Sequence, residues 1–76
     1  MQSYIKYLST KEVAERLLVS PTTVRKYSHM LEDKGYIFKK DDKRWRQFST
    51  NDLEALDHIV TLRNFASLGE AIESVV

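Results

Sequence analysis

The chain of 76 residues contains no cysteine, a single proline and two glycines. Without cysteine there is no disulfide, no thiolate metal site and no thiol nucleophile, which fits a reducing compartment. With only Gly35 and Gly69, no glycine-rich loop can wrap a nucleotide phosphate. No apolar run approaches the roughly 20 residues that span a bilayer. The opening MQSYIKYLST lacks the apolar stretch of a signal peptide. These absences predict a soluble, cytoplasmic protein. A chain this short buries only about 60% of its unfolded surface, so we expect one domain over residues 1–76 with one modest core.

What is present is charge, unevenly spread. The formal net charge is +1, but residues 1–49 carry 11 basic and 6 acidic side chains, whereas residues 50–76 carry 1 and 5. A polyanion is attracted to the first part and repelled by the second. A mixed solvated surface is the bland alternative, and charge asymmetry alone does not decide between them.

Helix starts punctuate the chain. Ser9-Thr10-Lys11-Glu12 is a capping box, and Val13, Ala14 and Leu17 then share one helical face, predicting a helix from Thr10 to about Leu17. Ser20-Pro21 is a second start, with serine as cap and proline where its missing N–H costs nothing. Val24, Tyr27 and Leu31 give that helix its apolar stripe, to about Leu31. Ser49-Thr50-Asn51-Asp52 opens a third, to about Asn64, with Leu53, Leu56, Ile59, Val60 and Leu62 at helical spacing. Ser67 with Glu70 opens a short fourth, striped by Leu68, Ala71, Ile72 and Val75. Between the second and third helices, Tyr36-Ile37-Phe38 reads as a strand, Lys39 to Lys43 as a polar turn, and Arg44 to Phe48 as the return strand. Only Leu18 and Val19 separate the first helix from the cap of the second, so the two must cross steeply. The expected fold is mainly α with a small β-hairpin: a helix-turn-helix, a hairpin wing, a third helix and a short fourth.

The second helix keeps one face free of its core stripe. Thr22, Arg25 or Lys26, and His29 lie 3, 4 and 7 apart, Thr23 flanks them, and Ser20 stands at the cap. No carboxylate appears before Glu32. Hydroxyls, N-terminal amides and cations of this kind take phosphates, and arginine also takes a guanine edge in the major groove. An ordinary solvated face would mix both signs. The hairpin adds Lys39, Lys40, Lys43, Arg44 and Arg46 around Trp45. Such a set suits a wing on the sugar–phosphate backbone or in the minor groove. Lysines that merely protect an edge strand are the alternative. Strand alternation puts Arg44 and Arg46 on the side of Phe48 and Trp45 opposite. It leaves Trp45 either a core or rim residue or a stacking platform.

YLSTKEVAERLLVSPTTVRKY followed by RWRQFSTNDLEALDHIVTLRN resembles the DNA-binding domain of MerR-type regulators. The family's "sxxtLRyYe" corresponds to residues 20–27 and its "yRrYs" to Trp45-Arg46-Gln47-Phe48-Ser49. LRNFASLGEAIESVV resembles the end of the third helix and the short fourth helix of the family's second wing. The resemblance implies a bacterial winged helix-turn-helix that binds double-stranded DNA, with Arg25 and Arg46 clamping the backbone. The sequence departs at Leu18 and Ala66, where glycine is common, at Lys26, where the family has an aromatic, and in having no effector-sensing cysteines. That favours short relatives: excisionase-like architectural proteins, or chromosome-anchoring and plasmid-partition proteins.

From these signals we expect sequence-preferring duplex DNA binding, through a helix at about 20–31 in the major groove and a wing at about 36–48. The role is transcription regulation or chromosome and plasmid organisation, in a nucleoid-associated protein. The alternative is a protein-interaction module on the same scaffold. Catalysis, a cofactor and a metal site are not expected: His29 and His58 fall on different helices without nucleophile or ligand spacing. The ending Ser74-Val75-Val76, an apolar helical turn without a cap, reads as the head of a longer, self-associating protein, with this chain a monomer or weak dimer.

Overall fold

The structure, a computed structural model, describes residues 6–76. In order along the chain are α1 (Thr10–Leu17), α2 (Pro21–Asp33), β1 (Lys39–Lys40), β2 (Arg46–Gln47), α3 (Thr50–Leu62) and α4 (Leu68–Glu73). This is a winged helix-turn-helix: α1 and α2 form the helix-turn-helix, and the β1–β2 hairpin is the wing. No helix among the described residues is long and apolar enough to cross a membrane.

Every helix begins on a serine. Ser9, Ser49 and Ser67 form full capping boxes with Glu12, Asp52 and Glu70. Ser20 caps α2 alone, by accepting from the Thr23 N–H, with Pro21 in the first turn. Each such cap is worth about 0.5–2 kcal/mol, and α1 and α4, of 8 and 6 residues, are too short to stand without one. The Asp52 carboxylate does more. It is buried, and besides capping α3 through the Ser49 N–H at 2.9 Å it accepts the Tyr36 hydroxyl at 2.6 Å. Burial first, and then this carboxylate, push the Tyr36 hydroxyl well above its ordinary pKa, so it remains a donor.

The core forms where the apolar stripes converge. Val13 and Ala14 of α1, Val24, Tyr27 and Leu31 of α2, Leu56 and Ile59 of α3, and Ala71 and Ile72 of α4 are all buried. Leu8, Phe38 and Phe48 close it from the hairpin side, with Phe38 and Phe48 edge-on at 5.3 Å between ring centroids. Ser28 is also buried, on the same face of α2; its hydroxyl is satisfied by the Val24 carbonyl at 2.7 Å.

Two element boundaries differ from expectation. Helix α2 runs two residues past Leu31 and α3 stops two before Asn64. The hairpin differs more. Tyr36-Ile37-Phe38 is extended but unpaired, and pairing starts at Lys39, where a turn was expected. The register is Lys39 with Gln47 and Lys40 with Arg46. The ladder ends at Lys39 and Gln47 because Ser49, the next position on the return strand that could bond across, gives its N–H to Asp52 as α3 begins. The N–H and C=O of Phe48 both bond to Leu8, at 2.9 and 2.8 Å. Ile37 points outward and is 87% exposed.

The turn between α1 and α2 is made by Leu18 in the left-handed conformation, φ 58°, with its N–H and that of Val19 both bonded to the Ala14 carbonyl. A side chain there costs about 1–2 kcal/mol in strain, and Leu18 recovers little of it, being 91% exposed. Leu18→Gly removes the strain and loses almost no buried surface, against a smaller gain in unfolded-chain entropy. It should raise unfolding stability by about 0.5–1 kcal/mol in urea titration. An unchanged or lower midpoint would show that the Leu18 side chain supports the fold.

Candidate nucleic-acid interface

The stripe on α2 is exposed as its spacing requires, because Val24, Tyr27 and Leu31 take the opposite face inward. Thr22, Arg25, Lys26 and His29 are all exposed; Thr23 is half-buried. Two hydroxyls are already engaged in the cap, with Ser20 Oγ 3.1 Å from the Thr23 N–H and 2.9 Å from Thr23 Oγ1. Arg25 Nη2 donates to Thr22 Oγ1 at 3.3 Å, which lays the guanidinium along the helix toward its N-terminus. His29 Nε2 lies 3.8 Å from the Asp33 carboxylate, an ionic contact when the imidazole is protonated. Thr22, Arg25 and Lys26 are thus the accessible polar surface near the start of the helix, where the backbone amides also carry partial positive charge.

The wing is organised by Asp41, which sequence reasoning counted only as part of a polar turn. Its Oδ1 accepts the N–H groups of Lys43 and Trp45 at 2.9 and 3.0 Å, and its own N–H bonds to the Trp45 carbonyl. This closes a three-residue tip in which Arg44 takes the left-handed conformation, φ 67°. The pattern belongs to three-residue hairpin loops, where glycine is the usual occupant. Expected alternation of Arg44 with Arg46 therefore fails, since Arg44 belongs to the turn.

For the rest of the strand the alternation holds, and it sorts the cations into two groups. Lys40 and Arg46 face the helices on the same side as Phe38 and Phe48. There they meet Glu32 in the last turn of α2. Arg46 donates from Nη2 to Oε1 at 2.7 Å and from Nε to Oε2 at 3.3 Å, and Lys40 Nζ lies 3.1 Å from Oε2. The Arg46 side chain, expected to clamp DNA, is 19% exposed and already paired with Glu32. Lys39, Lys43 and Arg44 remain at the surface, with Lys39 Nζ 4.8 Å from the centre of the Tyr7 ring. Trp45, left open by the sequence, is 62% exposed. It lies outside the core.

The wing and the two helix starts enclose a cleft of about 490 Å³. Thr10 and Lys11 from α1, Pro21 and Arg25 from α2, and Lys43, Trp45 and Arg46 from the hairpin line it. The structure thus brings Arg25 and Lys43 together with Lys11, which sequence reasoning missed; its position in a capping box gave no sign that the start of α1 opens beside the wing. Of the residues expected to meet DNA, Arg25, Lys43 and Arg46 line this cleft; Ser20, Thr22, Thr23, Lys26, His29, Lys39, Lys40 and Arg44 do not. Among the described residues, no three metal-ligating side chains gather.

Residues 7–37 match a family profile described as winged helix-turn-helix DNA-binding. The matched span covers Leu8, α1, the turn, α2 and the exit to Ile37; the paired hairpin, α3 and α4 lie beyond it. No curated protein matches the chain significantly.

The Glu32 clamp carries a pH dependence. The Arg46 hydrogen bonds, and more weakly Lys40, hold the Glu32 carboxyl below its ordinary value of 4.5, against a desolvation that acts the other way. A carboxyl with a lower pKa folded than unfolded stabilises the fold above the unfolded value, and that contribution fades as pH falls through the folded one. Glu12 shifts in the same direction, chiefly through the Ser9 N–H. Stability should therefore fall as pH drops below about 4.5, and Glu32→Gln should make that acid limb shallower. Urea midpoints from pH 7 to pH 3 check this, and an acid limb of equal steepness in Glu32→Gln would mean that the ion pair contributes no net stability.

Proposed function

We propose that this chain binds duplex DNA with a sequence preference, the start of α2 entering the major groove and the wing lying along the sugar–phosphate backbone. The observation that carries the reading is the cleft between α2 and the wing. Lys11, Arg25 and Lys43 converge there from three elements on one side of the domain, beside the exposed Trp45. The acid-free stretch of α2 supports it, as does the family match over residues 7–37. The acidic side chains of α3 and α4 belong to elements that do not line the cleft, and the carboxylate that does, Asp41, is engaged by the N–H groups of Lys43 and Trp45.

The finer reading follows the sequence. Two helices, a wing, a third helix and a short fourth appear in the order of MerR-type domains, so we assign the chain to that kind of regulator or to its short relatives in chromosome and plasmid organisation. One head of this type covers few base pairs and buries only about 600–1,000 Å² on DNA. We expect two or more to act together on a site. An interaction module would instead present a contiguous aromatic patch. The exposed Trp45 sits among cations, and Leu18, Ile37 and Phe65 lie on separate connections.

The two elements should contribute differently. Arg25→Ala should weaken binding to a preferred duplex by about 1–3 kcal/mol while the protein stays folded, because the side chain is outside the core. Gel-shift titration against a preferred and a scrambled duplex checks it; unchanged affinity in a folded variant removes Arg25 from the interface. Neutralising Lys39, Lys43 and Arg44 together should weaken all duplexes alike and flatten the log–log salt dependence by about 0.9 for each phosphate that is no longer neutralised. A loss confined to the preferred duplex would make the wing a base reader instead.

A further inference from the structure

Glu32 stands where helix energetics do not favour a carboxylate. It lies in the last turn of α2, where the macrodipole is negative and no basic residue offsets it. It is also the first acid after eleven residues without one on the helix that carries the cationic stripe. Yet this carboxylate holds both strands of the wing at once. Lys40 and Arg46 are cross-strand partners, and each bonds to Glu32. Among the described residues, every side-chain hydrogen bond and ion pair from β1 and β2 to a helix ends on it.

The hairpin needs such a hold. Two paired residues per strand are too few for a free-standing two-stranded ribbon. Phe38 and Phe48 anchor its base in the core, but they leave the outer part free to swing as a lever about that base. The Glu32 contacts act two positions further out, at the Lys40–Arg46 pair. Arginine supplies a planar two-point fork, which fixes direction as well as distance. Leu31, the neighbouring residue, is fully buried, so the clamp is mounted on a rigid part of α2.

We propose that Glu32 is a positioning residue that fixes the angle between the α2 helix and the wing, and that through this angle it sets how sharply the protein discriminates between DNA sequences. This rests on the duplex-DNA reading above. Two elements that touch one duplex share a single register only when their separation is fixed. Releasing the wing lets it follow any backbone, while α2 no longer docks in one pose. Releasing it also frees two cations, so non-specific binding gains as specific binding loses.

The test uses the 76-residue chain, a duplex that the wild-type protein selects from a random-sequence pool, and a scrambled duplex of the same composition. Glu32→Gln keeps the side-chain shape and removes the charge. The ratio of the two affinities should fall by about tenfold, the worth of a single base-edge hydrogen-bond pair. Affinity for the scrambled duplex should hold or rise, with its log–log salt slope steeper by up to about 0.9 for each freed cation that finds a phosphate. A carboxylate that only stabilises the fold would weaken both duplexes in parallel and leave the ratio unchanged, and that result overturns the proposal. If Glu32→Gln does not fold, Arg46→Lys decides the matter: it keeps the charge, loses the fork, and should lower the ratio without steepening the slope, whereas an unchanged ratio overturns the proposal. Wild-type protein that binds both duplexes equally also overturns it while leaving DNA binding intact. Wild-type protein that retains no duplex at all overturns the DNA reading itself.

Discussion

Phe48 has no exposed surface, its backbone bonds twice to Leu8, and its ring meets Phe38 edge-on. Ser49, the next residue, caps α3. One short stretch therefore joins the segment before α1, the root of the wing and the start of the third helix. Burial of a phenylalanine contributes about 1.5–3 kcal/mol, a large share of the stability of a domain this size. Its geometric effect is greater. Because Phe48 must point inward, every other residue of the return strand has its side assigned: Arg46 inward, Trp45 and Gln47 outward. The wing could not offer all its cations to a ligand while Phe48 stayed in the core.

That constraint separates the wing's cations by task. Lys40 and Arg46 share the inward face with the two phenylalanines but stand too far out to be covered by apolar side chains. Arg46 is half-buried and needs a partner, and Glu32 supplies it while also holding the more exposed Lys40. Lys39, Lys43 and Arg44 stay in solvent and keep their charge available. An electrostatic surface inferred by counting basic residues between positions 39 and 46 overstates the free charge by one of five, because Arg46 is half-buried against the Glu32 carboxylate.

Most of the fold was legible because the signals were local. Four serine caps and the apolar spacings of Val13, Val24, Tyr27, Leu31, Leu56 and Ile59 needed only a helical period to be read. The hairpin was misplaced by several residues because its limits are set by Asp41 closing the tip and Ser49 turning into the cap of α3, and the Leu8–Phe48 bridge, between residues forty apart, leaves no local mark. The candidate site was legible in kind and less so in detail. The stripe on α2 follows from its complement, the core face. The engagement of Arg46 by Glu32 and the arrival of Lys11 beside the wing depend on how elements pack. One signal for the former was present: the acids Glu32 and Asp33 closing a cationic helix, ahead of a hairpin with an inward-facing arginine, call for a pairing.

Among the described residues, two take left-handed backbone conformations without being glycine, and both lie in connections that aim the proposed DNA-facing elements. Leu18 shapes the turn from α1 into α2; Arg44 shapes the tip of the wing. With only two residues between Leu17 and the Ser20 cap, the chain cannot redirect itself through ordinary right-handed or extended geometry, and the left-handed residue turns it from α1 into α2. At the tip, the Asp41 bonds close the loop so tightly that the residue before Trp45 must also turn left. Glycine would satisfy either backbone with less strain. At position 44 it would also remove a cation from the most projecting part of the wing, so the strain there is the cost of placing a charge where a turn leaves room for glycine. Strain at an exposed position, with no packing to offset it, fits a side chain that meets a partner outside the protein, and the proposed DNA reading gives Arg44 such a partner.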